Sequence, residues 1–472
     1  NKPLCLLEYA HAMGNSPGNL QNLWDYVIDH PEFMGGYVWE FRSHGFEKIN
    51  DDGTVDYLYG GDFHDTNHWT NFTLDGYCRS DGTPKPTFLE LKYVFAPIRL
   101  DYENGKLRIH NIQSFLSTEG MLLETEVFCD GKIVSRKVEP MPKVEPMQKL
   151  TVNLNPEYSG YDCFLNLRII KNDDIIAFKQ FNLPSTCKKS PLKTSKIKAN
   201  ITQNADKISV IGDNFEVSFA NGLLNLYRKN GKTYIDSPMK IMTYRAETDN
   251  DGIAGVFPRW IHEWEEARLH KMQFYSFENS VAQEQNCITV TSSGRMTYDY
   301  AYSGFYVDLV YSIYNDGLIT TDMTVKPYGK MPCTKRDNLA RGVVDDYTPR
   351  LPRFGVCFKL SKEFDTVKWF GRGVDQNYDD TVGAAPVGIY ELPLSQMNFE
   401  FDVPQETGNR GDTRYAQVAD KSSSFTVYGN DCFAFSYHPW KLDDLRTARH
   451  KSELKQDKAN YLYIDYKMRA LG

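Results

Sequence analysis

Apolar and polar positions change their spacing along the chain, and the changes divide it into three textures. The first opens with Leu4–Leu7, an unbroken apolar run that predicts a strand over Leu4–Tyr9 buried on both faces. Ser16 and Pro17 come next, a favoured N-cap followed by the one residue that needs no N–H in the first helical turn. Leu20, Leu23, Trp24, Val27 and Ile28 then recur at helical spacing, so a helix is expected over 17–30 with one apolar face. A second strand is expected at Gly36–Trp39, then a polar, turn-rich stretch (Asn50–Gly53, Gly60-Gly61), then a helix opening near Thr83-Pro84-Lys85-Pro86. Strands alternating with helices suggest an α/β barrel, whose chemistry sits at the carboxyl ends of the strands. Glu8 and Trp39 hold those positions. A full barrel needs eight such units and about 250 residues, so residues 1–97 can be only a part of one.

From Pro97 the spacing turns to two. Leu107–Asn111, Leu123–Phe128 and Cys163–Leu167 read as strands separated by turns at Asp130-Gly131 and Ser159-Gly160, which predicts an immunoglobulin-like sandwich over 98–186. A lysine-bearing stretch, KKSPLKTSKIK at Lys188–Lys198, marks a solvated linker over 187–199. Short strands dominate from 200 to 472, with one helix expected at Trp260–His270 whose Trp260 and Trp264 serve the core. The run Asp249-Asn250-Asp251-Gly252 lacks the alternating acidic spacing and distal Glu of a calcium loop.

Composition narrows the function. A chain of 472 residues is expected to form about three domains. The net charge of −8 and the lack of a basic face exclude a nucleic-acid partner, and no run reaches membrane-spanning length. Nine scattered cysteines show neither a disulfide framework nor zinc spacing. The 14% aromatic content suits β-rich cores and sugar-stacking surfaces. No signal peptide is seen, and the chain reads as starting in the middle of a protein.

Three motifs carry a family resemblance. EYAHAMGNS at Glu8–Ser16, GGYVWEF at Gly35–Phe41 and YGGDF at Tyr59–Phe63 closely resemble the C-terminal half of the large β-galactosidases of glycoside hydrolase family 2. Arg245–Gly252, Trp369–Gly373, Glu406–Arg410, Ala448–His450 and Tyr461–Tyr466 resemble landmarks of the large terminal sandwich of that family. The resemblance implies a multidomain, mainly β protein. Residues 1–97 become the last part of a TIM barrel, strands seven and eight. Residues 98–186 become the immunoglobulin-like domain, and 200–472 a galactose-mutarotase-like sandwich truncated at its end.

By the same resemblance the activity is that of a retaining exo-β-galactosidase acting on lactose-like substrates. Such hydrolysis needs two carboxyl groups about 5–5.5 Å apart. Glu8 corresponds to the nucleophile, while the acid/base and the magnesium ligands are expected upstream of Asn1. Glu40 is the nearest local substitute for the acid, but it is assigned to a core or rim salt bridge. His11 corresponds to a histidine that binds galactosyl hydroxyls, and Trp39 to the tryptophan flooring the sugar site. The Phe72 carbonyl and the Asp75 side chain correspond to sodium ligands, with Asp75 replacing the family's usual Asn. The expected partners are a β-galactoside, the missing N-terminal half and further copies of the full protein. The expected compartment is the cytoplasm, with the periplasm as alternative. Without its acid the isolated chain is expected to be inactive. The competing readings are a non-catalytic carbohydrate-binding or assembly fragment, or another family 2 glycosidase, a β-glucuronidase or β-mannosidase.

Overall fold

The computed structural model describes residues 2–204, 207–252, 260–298, 302–331 and 350–472. Its first part has strand β1 (Leu4–Tyr9), helix α1 (Leu20–Asp29) and strand β2 (Phe33–Val38), with β1 and β2 forming a parallel pair. A hairpin, β3 (Phe46–Ile49) and β4 (Val55–Leu58), occupies the stretch that sequence marked only as turn-rich, and helix α2 (Pro86–Val94) closes the unit with Pro in its first turn.

Two local expectations are corrected here. β1 is not buried on both faces: Leu4 is 49% and Leu7 71% exposed. Among the described residues it bonds only to β2, so one edge and much of its apolar surface have no cover. Ser16 does not cap α1 either. The helix starts at Leu20, after Asn19 in a left-handed conformation (φ 60). Ser16 Oγ instead donates to the Met13 carbonyl at 2.5 Å, and the Ser16 carbonyl accepts from Thr87 Oγ1 at 2.7 Å. A residue held by a local bond to Met13 and a tertiary bond from Thr87 is not free to begin a helix, and the start moves one turn on.

The second unit packs the sheet of Ile98–Glu103, Lys106–Asn111 and Lys149–Asn153 against a four-stranded sheet ordered Asp174–Leu183, Cys163–Lys171, Leu122–Cys129, Lys132–Pro140. Leu107 and Ile109 meet Leu165, Leu167 and Ile169 in its core, the alternation expected of an immunoglobulin-like sandwich. Residues 184–198 carry no helix or strand, and pairing resumes at Ala199.

The terminal unit holds three antiparallel sheets around one core. One is a five-stranded meander from Ala199–Asn204 to Lys232–Ile235, and another a four-stranded meander from Gln273–Gln283 to Ile319–Tyr328. The third has seven strands in the order Lys240–Met242, Arg353–Ser361, Ala459–Met468, Ser424–His438, Arg410–Ala419, Thr366–Arg372, Val387–Pro393. Val217, Leu309, Trp369, Phe435 and Leu462 share that core, as does Trp264 on the helix Trp260–Glu266. The helix is shorter than sequence suggested, since a separate 3-10 turn forms at Leu269–Lys271.

The units are packed against one another. Phe128 and Phe164 of the second unit form an apolar cluster with Phe370 and Val387 of the third. Two sequence landmarks also meet across the chain: Tyr59 OH donates to the Arg449 carbonyl at 2.7 Å, and Asp62 Oδ1 lies 3.0 Å from His450 Nε2.

Candidate active site

Glu8 stands where β1 ends. The register of β1 against β2 slips between Leu6 and Tyr9, a bulge that leaves Leu7 and Glu8 without partners in the ladder. Glu8 and Ala10 both have positive φ (51 and 55), a conformation disfavoured for side chains with a Cβ and concentrated at functional sites. Beyond the bulge the strand ends are tied together: Trp39 N–H donates to the Tyr9 carbonyl and Ala12 N–H to the Trp39 carbonyl, each at 2.9 Å. Those two bonds bring the EYAHAMGNS and GGYVWEF motifs to one carboxyl edge, with the Glu8 side chain exposed.

Four more residues singled out from sequence meet beside it. Trp39 Nε1 donates to Asp75 Oδ2 at 2.8 Å, and His11 Nε2 lies 3.8 Å from the same oxygen. The His11 and Phe72 rings lie 5.5 Å apart. Asp75 is 2% exposed and shares a hydrogen bond with the Glu40 carboxyl, while the His11 Nε2 is buried without a hydrogen-bond partner. A buried ring nitrogen left unpaired is costly unless a ligand group completes it. A carboxylate and a backbone carbonyl are both hard oxygen donors, so the residue types at Asp75 and Phe72 suit a hard cation. No three His, Cys, Asp or Glu side chains converge on a metal position among the described residues.

Glu40 and Lys85 add charge to this floor. Burial, then a hydrogen bond and the charge of Asp75, push the Glu40 carboxyl up to about 7. Its Oε1 also lies 3.4 Å from His44 Nδ1. Lys85 Nζ donates to the carbonyls of Ala12 (3.1 Å) and Leu74 (3.3 Å), joining the His11 loop to the Asp75 loop. Burial lowers it to about 8, opposed by Asp249, Asp402 and Asp75. Sequence marked Lys85 only as part of a helix opening.

The largest omission from the sequence reading is the terminal sandwich itself, which reaches into the site. Asn15 Nδ2 donates to Tyr378 OH at 3.0 Å and to the Glu406 carbonyl at 2.8 Å, and Gln376 Nε2 donates to Asn15 Oδ1 at 2.9 Å. Gln405 Oε1 accepts from Asn15 N–H at 2.9 Å, while Gln405 Nε2 donates to Asp249 Oδ2 at the same distance. Gly14, at φ +59, lies under this layer: a Cβ there would stand 2.2 Å from Asp249 Oδ2. Asn250 contacts both the ring and the backbone of His11. Behind these loops lie buried ion pairs, Arg245 with Asp251 and Arg353 with Asp465 and Glu406. The one signal in the sequence was a polar loop, Asp249–Gly252, in strand-rich surroundings with no calcium spacing.

Comparison with known proteins agrees with this architecture. Residues 211–472 match the family described as Beta galactosidase small chain. Residues 1–100 match the one described as Glycosyl hydrolases family 2, TIM barrel domain. The chain belongs to the β-galactosidases of glycoside hydrolase family 2. Among similar β-galactosidases, those of Actinobacillus pleuropneumoniae and Vibrio cholerae are each 28% identical over 100% of this chain and 45% of their own length. That of Kluyveromyces lactis is 27% identical over 100% of this chain and 44% of its own. The chain thus spans less than half the length of these family 2 relatives. An exo-chitosanase structure from Amycolatopsis orientalis covers 67% of this chain and 29% of its own at 11% identity and a TM-score of 0.19, a likeness too loose to carry an argument.

Proposed function

We propose that this chain provides the nucleophile-bearing side of a retaining exo-β-galactosidase site. The observation that carries the reading is one cluster: the bulged strand end with Glu8, tied to the Trp39 strand end and followed by a loop whose buried His11 Nε2 has no partner. Relatives named β-galactosidase across the full chain support it. Glu8 attacks the anomeric carbon and becomes the glycosyl ester. The leaving oxygen takes its proton from a carboxyl group outside these 472 residues, and the same group later activates water. His11 accepts a galactosyl hydroxyl, and Trp39 offers its indole face to the sugar ring with its N–H held by Asp75. Phe72 and Asp75 would hold sodium, which when bound supplies a positive charge for a sugar oxygen. Magnesium ligands belong to the part of the enzyme that completes the barrel. The exposed apolar face of β1 and β2 is where that part packs, in a cytoplasmic enzyme that assembles from several copies.

The test is labelling with a 2-fluoro galactoside carrying a good leaving group, on the full-length enzyme, followed by peptide mass analysis. The ester is expected on Glu8. An ester on any other residue removes Glu8 from the nucleophile's role.

A further inference from the structure

Asn250 belongs to the terminal sandwich, yet its side chain is engaged with a residue 239 positions earlier. Its Nδ2 donates to the His11 carbonyl at 3.1 Å, which sets the amide's orientation because a carbonyl oxygen cannot donate. Its Oδ1 is then the atom 3.3 Å from His11 Nδ1. An amide oxygen only accepts, so the hydrogen of a neutral imidazole must sit on Nδ1. The lone pair is left on Nε2. That nitrogen is buried, has no hydrogen-bond partner, and lies 3.8 Å from Asp75 Oδ2, too far for a bond. The Asp75 oxygen already accepts the Trp39 indole N–H. Nε2 is thus an acceptor without a donor, and a ligand hydroxyl supplies one.

Asn250 is held firmly enough for this task. On one side Asp249 accepts from Asn71 Nδ2 at 2.7 Å and from Gln405 Nε2 at 2.9 Å. On the other, Asp251 accepts from Arg245 at 2.7 and 3.1 Å and from Thr248 N–H at 2.8 Å. Neither neighbour can move without breaking buried charge-assisted bonds.

We infer that Asn250 is a positioning residue: it locks His11 in the Nδ1–H tautomer, so that Nε2 recognises substrate as an acceptor of a sugar hydroxyl. The tautomer follows from contacts within this chain alone; only the sugar as its ligand rests on the reading above.

The experiment uses the full-length enzyme with ¹⁵N-labelled histidine and magic-angle-spinning NMR, the His11 signal being identified by its loss in His11→Gln. The wild type should show a protonated Nδ1 and a bare Nε2. Asn250→Ala should shift the ring toward the Nε2–H form and raise KM for an aryl β-galactoside on the order of 10–100-fold, with kcat changed less. Asn250→Asp keeps shape and the acceptor but removes the donor and adds a carboxylate to those of Asp75 and Asp249. It loses the bond to the His11 carbonyl that fixes the side chain and should also raise KM. A wild-type signal with the hydrogen on Nε2 overturns the assignment, as does a KM within about twofold of wild type in both variants. If the 2-fluoro label misses Glu8 while the tautomer and its loss are seen, the galactosidase reading falls and the Asn250 assignment stands.

Discussion

Strand β1 and the loop that follows it are neighbours in sequence and opposites in environment. Leu4, Leu7 and Glu8 are exposed, held by a single partner strand. Ala12 to Ser16, a few residues on, are buried and hydrogen-bonded to groups from the far end of the chain, Tyr378, Gln405 and Glu406. The chemistry-bearing segment therefore has one half shaped by local pattern and one half shaped by a distant domain. On the proposed function, an open strand end leaves Glu8 accessible to substrate and a fixed loop holds the His11 ring.

The contrast can be broken at the strand end first. Glu8→Gln in the full-length enzyme should lower kcat by roughly 10⁴-fold or more, because an amide cannot form the glycosyl ester, while substrate still binds. Single-turnover kinetics with an aryl galactoside read the loss; a drop of tenfold or less would move the nucleophile elsewhere.

On the loop side, Asn15→Ala removes three buried side-chain hydrogen bonds and strands their partners. It should cost about 2–4 kcal/mol in denaturant unfolding of this chain. Leu7→Ser, on a side chain 71% exposed, should shift the same measurement by less than about 0.5 kcal/mol. In the full-length enzyme Leu7→Ser should become the costly one, because the completed barrel covers it. Equal effects of the two substitutions in the isolated chain would erase the distinction between strand and loop.

Asp75 lies between the two regions. KM for galactosides should fall as sodium rises at constant ionic strength, and Asp75→Ala should abolish that dependence with a smaller change in kcat. Steady-state kinetics in sodium against a large organic cation decide it.

The smallest effect expected is at Glu40. Its carboxyl rises from an ordinary 4.5 to about 7, so the folded protein retains a proton that the unfolded chain releases. The stability gained is complete below about 4.5 and is lost as pH climbs through about 7. Glu40→Gln should flatten the melting temperature across that window, by the equivalent of on the order of 1 kcal/mol after solvent screening. An unchanged slope would mean that Glu40 does not carry the proton.

Periodicity alone located β1, α1, β2 and α2 to within a few residues, because these elements depend on neighbours in the chain. The strands of the second unit followed from alternation for the same reason. The motifs at Glu8–Ser16 and Gly35–Phe41 were specific enough to identify the family and to nominate Glu8, His11 and Trp39. What the sequence could not determine was anything set by long-range burial. Leu4–Leu7 has the pattern of a buried strand, but exposure depends on which strands lie alongside. Ser16-Pro17 has the pattern of a helix start, but Ser16 is claimed by Met13 and Thr87. Lys85, Gln405 and Asn250 look like ordinary polar residues, since hydrogen-bond partners tens to hundreds of positions apart leave no local spacing to read. Residue types and local elements were thus written in the sequence, while the tautomer of His11 and the anchoring of the loop were decided by domain packing, and the raised Glu40 carboxyl by burial beside Asp75. Those properties depend on distance and dielectric, which exist only once the chain is folded.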